Sequence, residues 1–116
     1  MTLPYPREVE TGRLKPRKPE SRRPFDVRRA LASAVRAEGN GLELFGVRLE
    51  SWSGGSLQQV VELYRDMLSH HFEERRPHPD YATWDIFSSS AAAQVRRSGR
   101  ADSETLRNLL QIIDGL

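Results

Sequence analysis

No cysteine occurs in the 116 residues, which excludes a disulfide framework and any thiolate metal site. No apolar run is long enough to cross a bilayer, and no signal-peptide pattern follows Met1. The expectation is a soluble, cytoplasmic protein in a reducing compartment. Signatures of catalysis are missing too. Serines are plentiful, yet none sits in a Gly-x-Ser-x-Gly elbow. Gly54-Gly55 is not followed by the Gly-Lys-Ser/Thr of a Walker loop. His70, His71 and His78 lie near Glu73 and Glu74, but they contain no helical i, i+4 histidine pair and no third ligand nearby in sequence. Asp80 and Asp85 read as helix caps or surface charges. An enzyme, a metal and a cofactor are therefore all unexpected.

Lysine is almost absent, since sixteen of the eighteen basic residues are arginine. Arginine makes planar, bidentate contacts to phosphate that lysine cannot, although GC-rich coding produces the same bias. The net charge of +2 hides an uneven distribution. Residues 1–24 hold seven basic side chains against three acidic ones, a balance of +4, and the remainder holds eleven against thirteen, a balance of −2. The first 24 residues also contain five of the seven prolines and no periodicity. They read as a basic, extended or disordered arm, the kind of segment that reaches for nucleic acid or an acidic partner. With 37% hydrophobic and 29% charged residues, residues 25–116 are enough for a single globular domain with a small core.

The pattern along that domain predicts an α+β fold, mostly helical. Val27, Ala30, Leu31, Ala34 and Val35 recur at helical spacing, with Asn40 and Gly41 as the expected C-terminal stop. Leu42 and Leu44 then share one strand parity, while Phe45, Val47 and Leu49 share the other. Gly46 at the change of parity suggests a bulge, or a tight turn between two short strands. So small a sheet or hairpin needs a further partner, which points to a homodimer. From Leu57 to Glu74 the residues Leu57, Val60, Val61, Tyr64, Met67, Leu68, His71 and Phe72 make an unbroken amphipathic stripe, capped by Ser56 and closed by Pro77 and Pro79. Burying it is worth on the order of 10 kcal/mol gross. Asp80 caps a segment with Tyr81, Trp84 and Phe87 that the Ser88–Ala93 run either continues or restarts, with Gly99 as its end. Asp102 or Ser103 caps a last helix bearing Leu106, Leu109, Leu110 and Ile113.

The turn Ser53-Gly54-Gly55-Ser56 is the one place where composition and possible chemistry coincide. Two hydroxyls, glycine backbone and a helix N-terminus can hold a phosphate without reading a base; a plain glycine-rich cap is the other reading. Arg48 precedes the turn, and Arg22, Arg23, Arg28 and Arg29 are candidate phosphate contacts. Trp52 and Trp84 each read as core or as stacking surfaces for a base, with Trp52 the better candidate because it adjoins the turn.

The run Gly46-Val47-Arg48-Leu49, then Ser53-Gly54-Gly55-Ser56, then Leu57-Gln58 with Glu62, resembles the tombusvirus RNA-silencing suppressors. In that family a strand ends in such a turn and enters a helix. The resemblance covers about twenty residues and implies a dimer that lays a sheet across double-stranded small RNA, contacting phosphates and 2′-hydroxyls. Its members clamp duplex ends with tryptophans on an N-terminal helix, whereas Phe25–Asn40 contains none. The closer likeness is therefore to the shorter aureusvirus suppressors, which implies binding with less regard to RNA length. The expectation is a dimeric, sequence-independent double-stranded RNA binder using Arg48, Trp52, Ser53, Gly54, Gly55 and Ser56 with Arg22, Arg23, Arg28 and Arg29. The alternative is a helical interaction or assembly protein, of phage or bacterial type, whose basic arm orders on a protein partner.

Overall fold

A computed structural model describes residues 25–50 and 52–116, so the basic arm with Arg22 and Arg23 lies outside the described residues. The described chain runs α1 (Val27–Ala34), β1 (Val35–Glu38), β2 (Gly41–Leu44), β3 (Val47–Leu49), α2 (Leu57–Arg75), α3 (Tyr81–Ser98) and α4 (Ser103–Asp114). The class is α+β and mostly helical, with one small antiparallel sheet of order β1-β2-β3.

Helix α1 is shorter than its stripe predicts. Asp26 caps it, accepting from the Arg29 N–H at 3.3 Å, and Val27 and Leu31 are buried. At Val35 the backbone turns extended (φ −121°, ψ 106°), and Arg36–Glu38 enter the sheet. Val35 suits a helical stripe and a strand equally; pairing decides between them, with Val35 opposite Leu44, Arg36 opposite Glu43 and Ala37 opposite Leu42. Asn40 and Gly41 consequently do not cap a helix. Gly39 and Asn40 form a two-residue hairpin loop between Glu38 and Gly41, with Gly39 at φ +61°, the glycine position of a type II′ turn.

The second hairpin turns at Phe45-Gly46, both at positive φ (53° and 83°), as a type I′ turn between paired Leu44 and Val47 requires. A tight turn, rather than a bulge, separates the two parities. Phe45 is a poor residue for this backbone. Aromatic packing holds it there: its ring meets Phe87 edge-on at 5.5 Å and Trp84 at 6.1 Å. The third strand comes from within the chain, so β2 and β3 need no second copy to form a sheet.

Helix α2 forms as its stripe predicts, with the Ser56 Oγ accepting from the Gln59 N–H at 3.3 Å. Val61, Tyr64, Leu68 and Phe72 are buried, while Met67 is 37% exposed and marks the edge of the stripe. The Ser88–Ala93 run continues α3 without a break to the left-handed Gly99. Asp102, not Ser103, caps α4, and its Oδ1 accepts from both the Thr105 N–H and hydroxyl at 3.0 Å. A single cluster joins α1, the sheet and the three long helices around Leu31, Leu42, Leu44, Leu68, Phe72, Phe87 and Leu109.

Short connections make sequential helices antiparallel. The rings of Phe72 and Trp84 lie 5.9 Å apart, so the start of α3 adjoins the end of α2. Tyr64 on α2 meets Asp102 before α4, and Arg75 on α2 meets Asp114 at the end of α4; α2 and α4 therefore run parallel. Helix α1 opposes α2, with Arg28 beside Glu73 at 3.7 Å and the α1 C-terminus beside Arg65.

Candidate nucleic-acid interface

Ser53, Gly54, Gly55 and Ser56 form an exposed bend at the head of α2. No acidic residue occupies the first turn of this 19-residue helix. A helix leaves its first N–H groups unpaired and carries partial positive charge at that end. Here the cap takes up the Gln59 N–H, and the Val60 N–H reaches the Ser56 carbonyl at 3.2 Å. Gly55 lies at φ +96° with open space where a side chain would stand, so the backbone of the bend is accessible to a bulky ligand.

Trp52 does not stand free to stack. It is half-buried against the core, and a side chain at Gly54 would meet its ring at 3.0 Å. Its backbone N–H donates to the Asn40 carbonyl at 3.0 Å, joining the bend to the first hairpin. The indole Nε1 is buried without a hydrogen-bond partner among the described residues. Trp84 is likewise half-buried, at the centre of an aromatic group with Phe25, Phe45, Phe72 and Phe87.

Arg48 is committed elsewhere. Its Nε lies 2.8 Å from Glu50 Oε2 and its Nη1 lies 3.6 Å from Glu38. Beside it, Arg36 pairs with Glu43 at 2.5 Å and Glu38 at 3.8 Å. The Glu43 hydrogen bond and charge raise the Arg36 pKa further above its ordinary value. The outer sheet face thus carries two arginines among three glutamates, a nearly neutral ladder rather than a cationic platform. An RNA backbone laid on it would face carboxylates.

Arg28 and Arg29 are exposed on α1, but at the wrong end. Arg28 pairs with Glu73, and from Ser56 to Glu73 α2 advances about 25 Å. The structure therefore keeps Ser53–Ser56 and Trp52 together, places Arg48 in an internal network, and separates Arg28 and Arg29 from the turn. His71 and Arg75 both face Asp114 on α4, at 3.8 and 2.7 Å, whereas His70 faces Glu74 within α2 at 3.8 Å; the two histidines have separate partners rather than gathering into one cluster.

Other arginines lie toward the same end of α2. Tyr64 donates to the Asp102 carbonyl at 2.9 Å, which sets the α3–α4 corner about 12 Å along the α2 axis from Ser56. Arg96 and Arg97 close the last turn of α3 at that corner, and Arg107 follows on α4. The only sequence signal for their placement is the succession of three helices joined by short loops, which implies antiparallel neighbours. Comparison with protein-family models, curated proteins and solved structures finds no match to this chain.

Proposed function

We propose that the protein is a non-enzymatic, sequence-independent binder of double-stranded RNA that contacts its ligand at the N-terminal end of α2. The observation that carries this reading is the exposed Ser53–Ser56 bend heading a long helix whose first turn holds no carboxylate. Such an end accepts a phosphate through backbone N–H groups and hydroxyls. A-form RNA is recognised through just these phosphate and 2′-hydroxyl contacts, with no base-reading helix in a groove. The resemblance of this segment to the silencing suppressors favours RNA among polyanions, and the basic arm adds a second cationic element. In its narrower form the proposal is that the protein sequesters small duplex RNA in the host cytoplasm as a viral suppressor, acting as a homodimer that presents two such ends.

A mobility-shift titration with a short RNA duplex at low and physiological salt tests the proposal. Binding should weaken steeply with salt, by a slope of about 0.9 per phosphate neutralised. Absence of binding at low salt overturns it. Light scattering on a sizing column tests the dimer separately.

A second reading has its own observation. Between α1 and α2 runs an open groove of about 670 Å³, lined by Leu31, Leu63, Glu62, Asp66 and Ser69, whose buried hydroxyl has no hydrogen-bond partner among the described residues. Leu63 is 50% exposed there. This surface favours an interaction or assembly protein. That role predicts no RNA retention, and a protein partner that shields the basic arm from protease.

A further inference from the structure

The α3–α4 corner concentrates arginines that the rest of the described fold leaves unneutralised. Arg28, Arg36, Arg48, Arg75 and Arg100 each face a carboxylate within 4 Å. Arg96, Arg97 and Arg107 are exposed and make no ion pair among the described residues; Arg97 only donates to the Gln94 side chain. Arg96 and Arg97 complement the negative C-terminal dipole of α3, which explains their sign. It does not require two of them, nor a third on the facing helix. Arg29 and Arg76 are also without ion pairs among the described residues, but they belong to the other end of the helical layer.

We propose that Arg96, Arg97 and Arg107 form the second half of an RNA-contacting surface whose first half is the Ser53–Ser56 bend. This rests on the reading of that bend as a phosphate contact. The two halves are some forty residues apart in sequence, and the fold brings them toward one end of the molecule: α4 packs against both α2 and α3, and the Tyr64–Asp102 hydrogen bond fixes the α3–α4 corner against α2. The parallel course of α2 and α4 turns both of their N-termini toward that end; the α4 N-terminus already carries Asp102 and Glu104, both paired with Arg100, and the α3 C-terminus is negative, so the surplus positive charge there comes from the Arg96, Arg97 and Arg107 guanidinium groups. Separated by about 12 Å along α2, the halves engage different phosphates of one duplex rather than a single anion. A polymer is the ligand such a surface fits. The neutral sheet face lies outside the contact.

Duplex-RNA titrations over a range of salt test this with R96Q/R97Q, R96K/R97K and R75Q/R76Q. The last removes the same charge at the opposite end. The expected result is an affinity loss of about tenfold for R96Q/R97Q, with a log–log salt slope smaller by about two. R96K/R97K should keep the slope, and R75Q/R76Q should stay within about twofold of wild type because charges so distant are screened. Far-ultraviolet circular dichroism checks that each variant is folded. If wild type binds while R96Q/R97Q matches it, or R75Q/R76Q loses as much, the surface lies elsewhere and RNA binding itself stands. If wild type fails to bind at low salt, the underlying reading falls together with this one.

Discussion

The Tyr64 hydroxyl donates a 2.9 Å hydrogen bond to the backbone carbonyl of Asp102, across 38 residues of sequence. It satisfies a part-buried carbonyl at the start of α4 and a phenol that is itself 2% exposed. Tyr64→Phe keeps the ring and strands the carbonyl. The expected loss is about 1–2 kcal/mol, a fall in Tm of several degrees for a domain of this size. Burial, then the Asp102 charge, raises the Tyr64 pKa above its ordinary value. A raised folded pKa means this group's contribution is complete below about pH 10, the unfolded value, and is lost as pH rises through the folded one. Thermal melts of wild type should show an alkaline limb that Tyr64→Phe lacks.

Phe45 sets two effects against each other. Its φ of 53° carries about 1 kcal/mol of strain that glycine would relieve. Against this stand its contacts with Phe87 and Trp84. Aromatic pairs contribute about 0.5–1.5 kcal/mol beyond area, and burying a phenylalanine about 1.5–3 kcal/mol. Packing wins. Phe45→Gly should therefore destabilise by about 1–2 kcal/mol despite the better turn chemistry, measured as a lower urea midpoint with an unchanged slope. A stabilised variant would show that the turn is over-strained.

How far the chain could be read without its structure follows from where each decision is made. Helix α2 was legible because eight apolar positions agree on one period and a serine caps them. The end of α1 was not, because Val35 fits both periods and the deciding contact is Leu44, across a hairpin. Asn40-Gly41 resembles a helix stop in sequence, whereas the glycine that makes the turn is the residue before it, Gly39. The Ser53–Ser56 cap is visible in sequence, whereas the state of Arg48 depends on Glu38, from a strand whose residues follow a helical period. Arg96, Arg97 and Arg107 carry no local signature, and only the Tyr64–Asp102 contact between α2 and the α3–α4 corner gives them a neighbour worth noticing.

Arg65 joins α2 to the end of α1, donating from Nε to the Val35 carbonyl at 2.7 Å and from Nη2 to the Ala32 carbonyl at 3.1 Å. These are carbonyls a helix leaves unpaired at its C-terminus, and the cation also suits the dipole there. Arg65→Lys preserves charge but cannot span both acceptors. It should lower stability by about 1–2 kcal/mol, and hydrogen exchange should rise selectively in α1 and β1. Uniform protection in Arg65→Lys would mean that the fork does not secure this junction.

Acid should act through the caps. Hydrogen bonds from the Thr83 side chain and backbone lower the Asp80 pKa, and the backbone bond from Thr105 foremost lowers that of Asp102. Because both folded values are depressed, the stabilisation is complete above the unfolded aspartate value of about 4 and is lost as pH falls through the folded values. Helicity should hold from neutrality to about pH 5 and decline below about pH 4. Asp80→Asn with Asp102→Asn should flatten that decline, since asparagine caps without titrating. An acid limb identical to wild type would assign the transition to other carboxylates.

Arg48 gives the sharpest contrast between an expected contact and an observed one. Its guanidinium bridges Glu50 and Glu38 on an exposed sheet face, where such pairs are worth about 0–1 kcal/mol. A phosphate approaching Arg48 must displace these carboxylates and then face Glu43 as well. Arg48→Gln should therefore leave duplex-RNA affinity within about twofold of wild type and stability within about 1 kcal/mol. Glu38→Gln with Glu50→Gln frees the arginine on a face outside the contact, so RNA affinity should likewise stay within about twofold of wild type. A loss of binding in Arg48→Gln comparable to R96Q/R97Q would return the sheet face to the contact surface and require the ladder to open when RNA arrives.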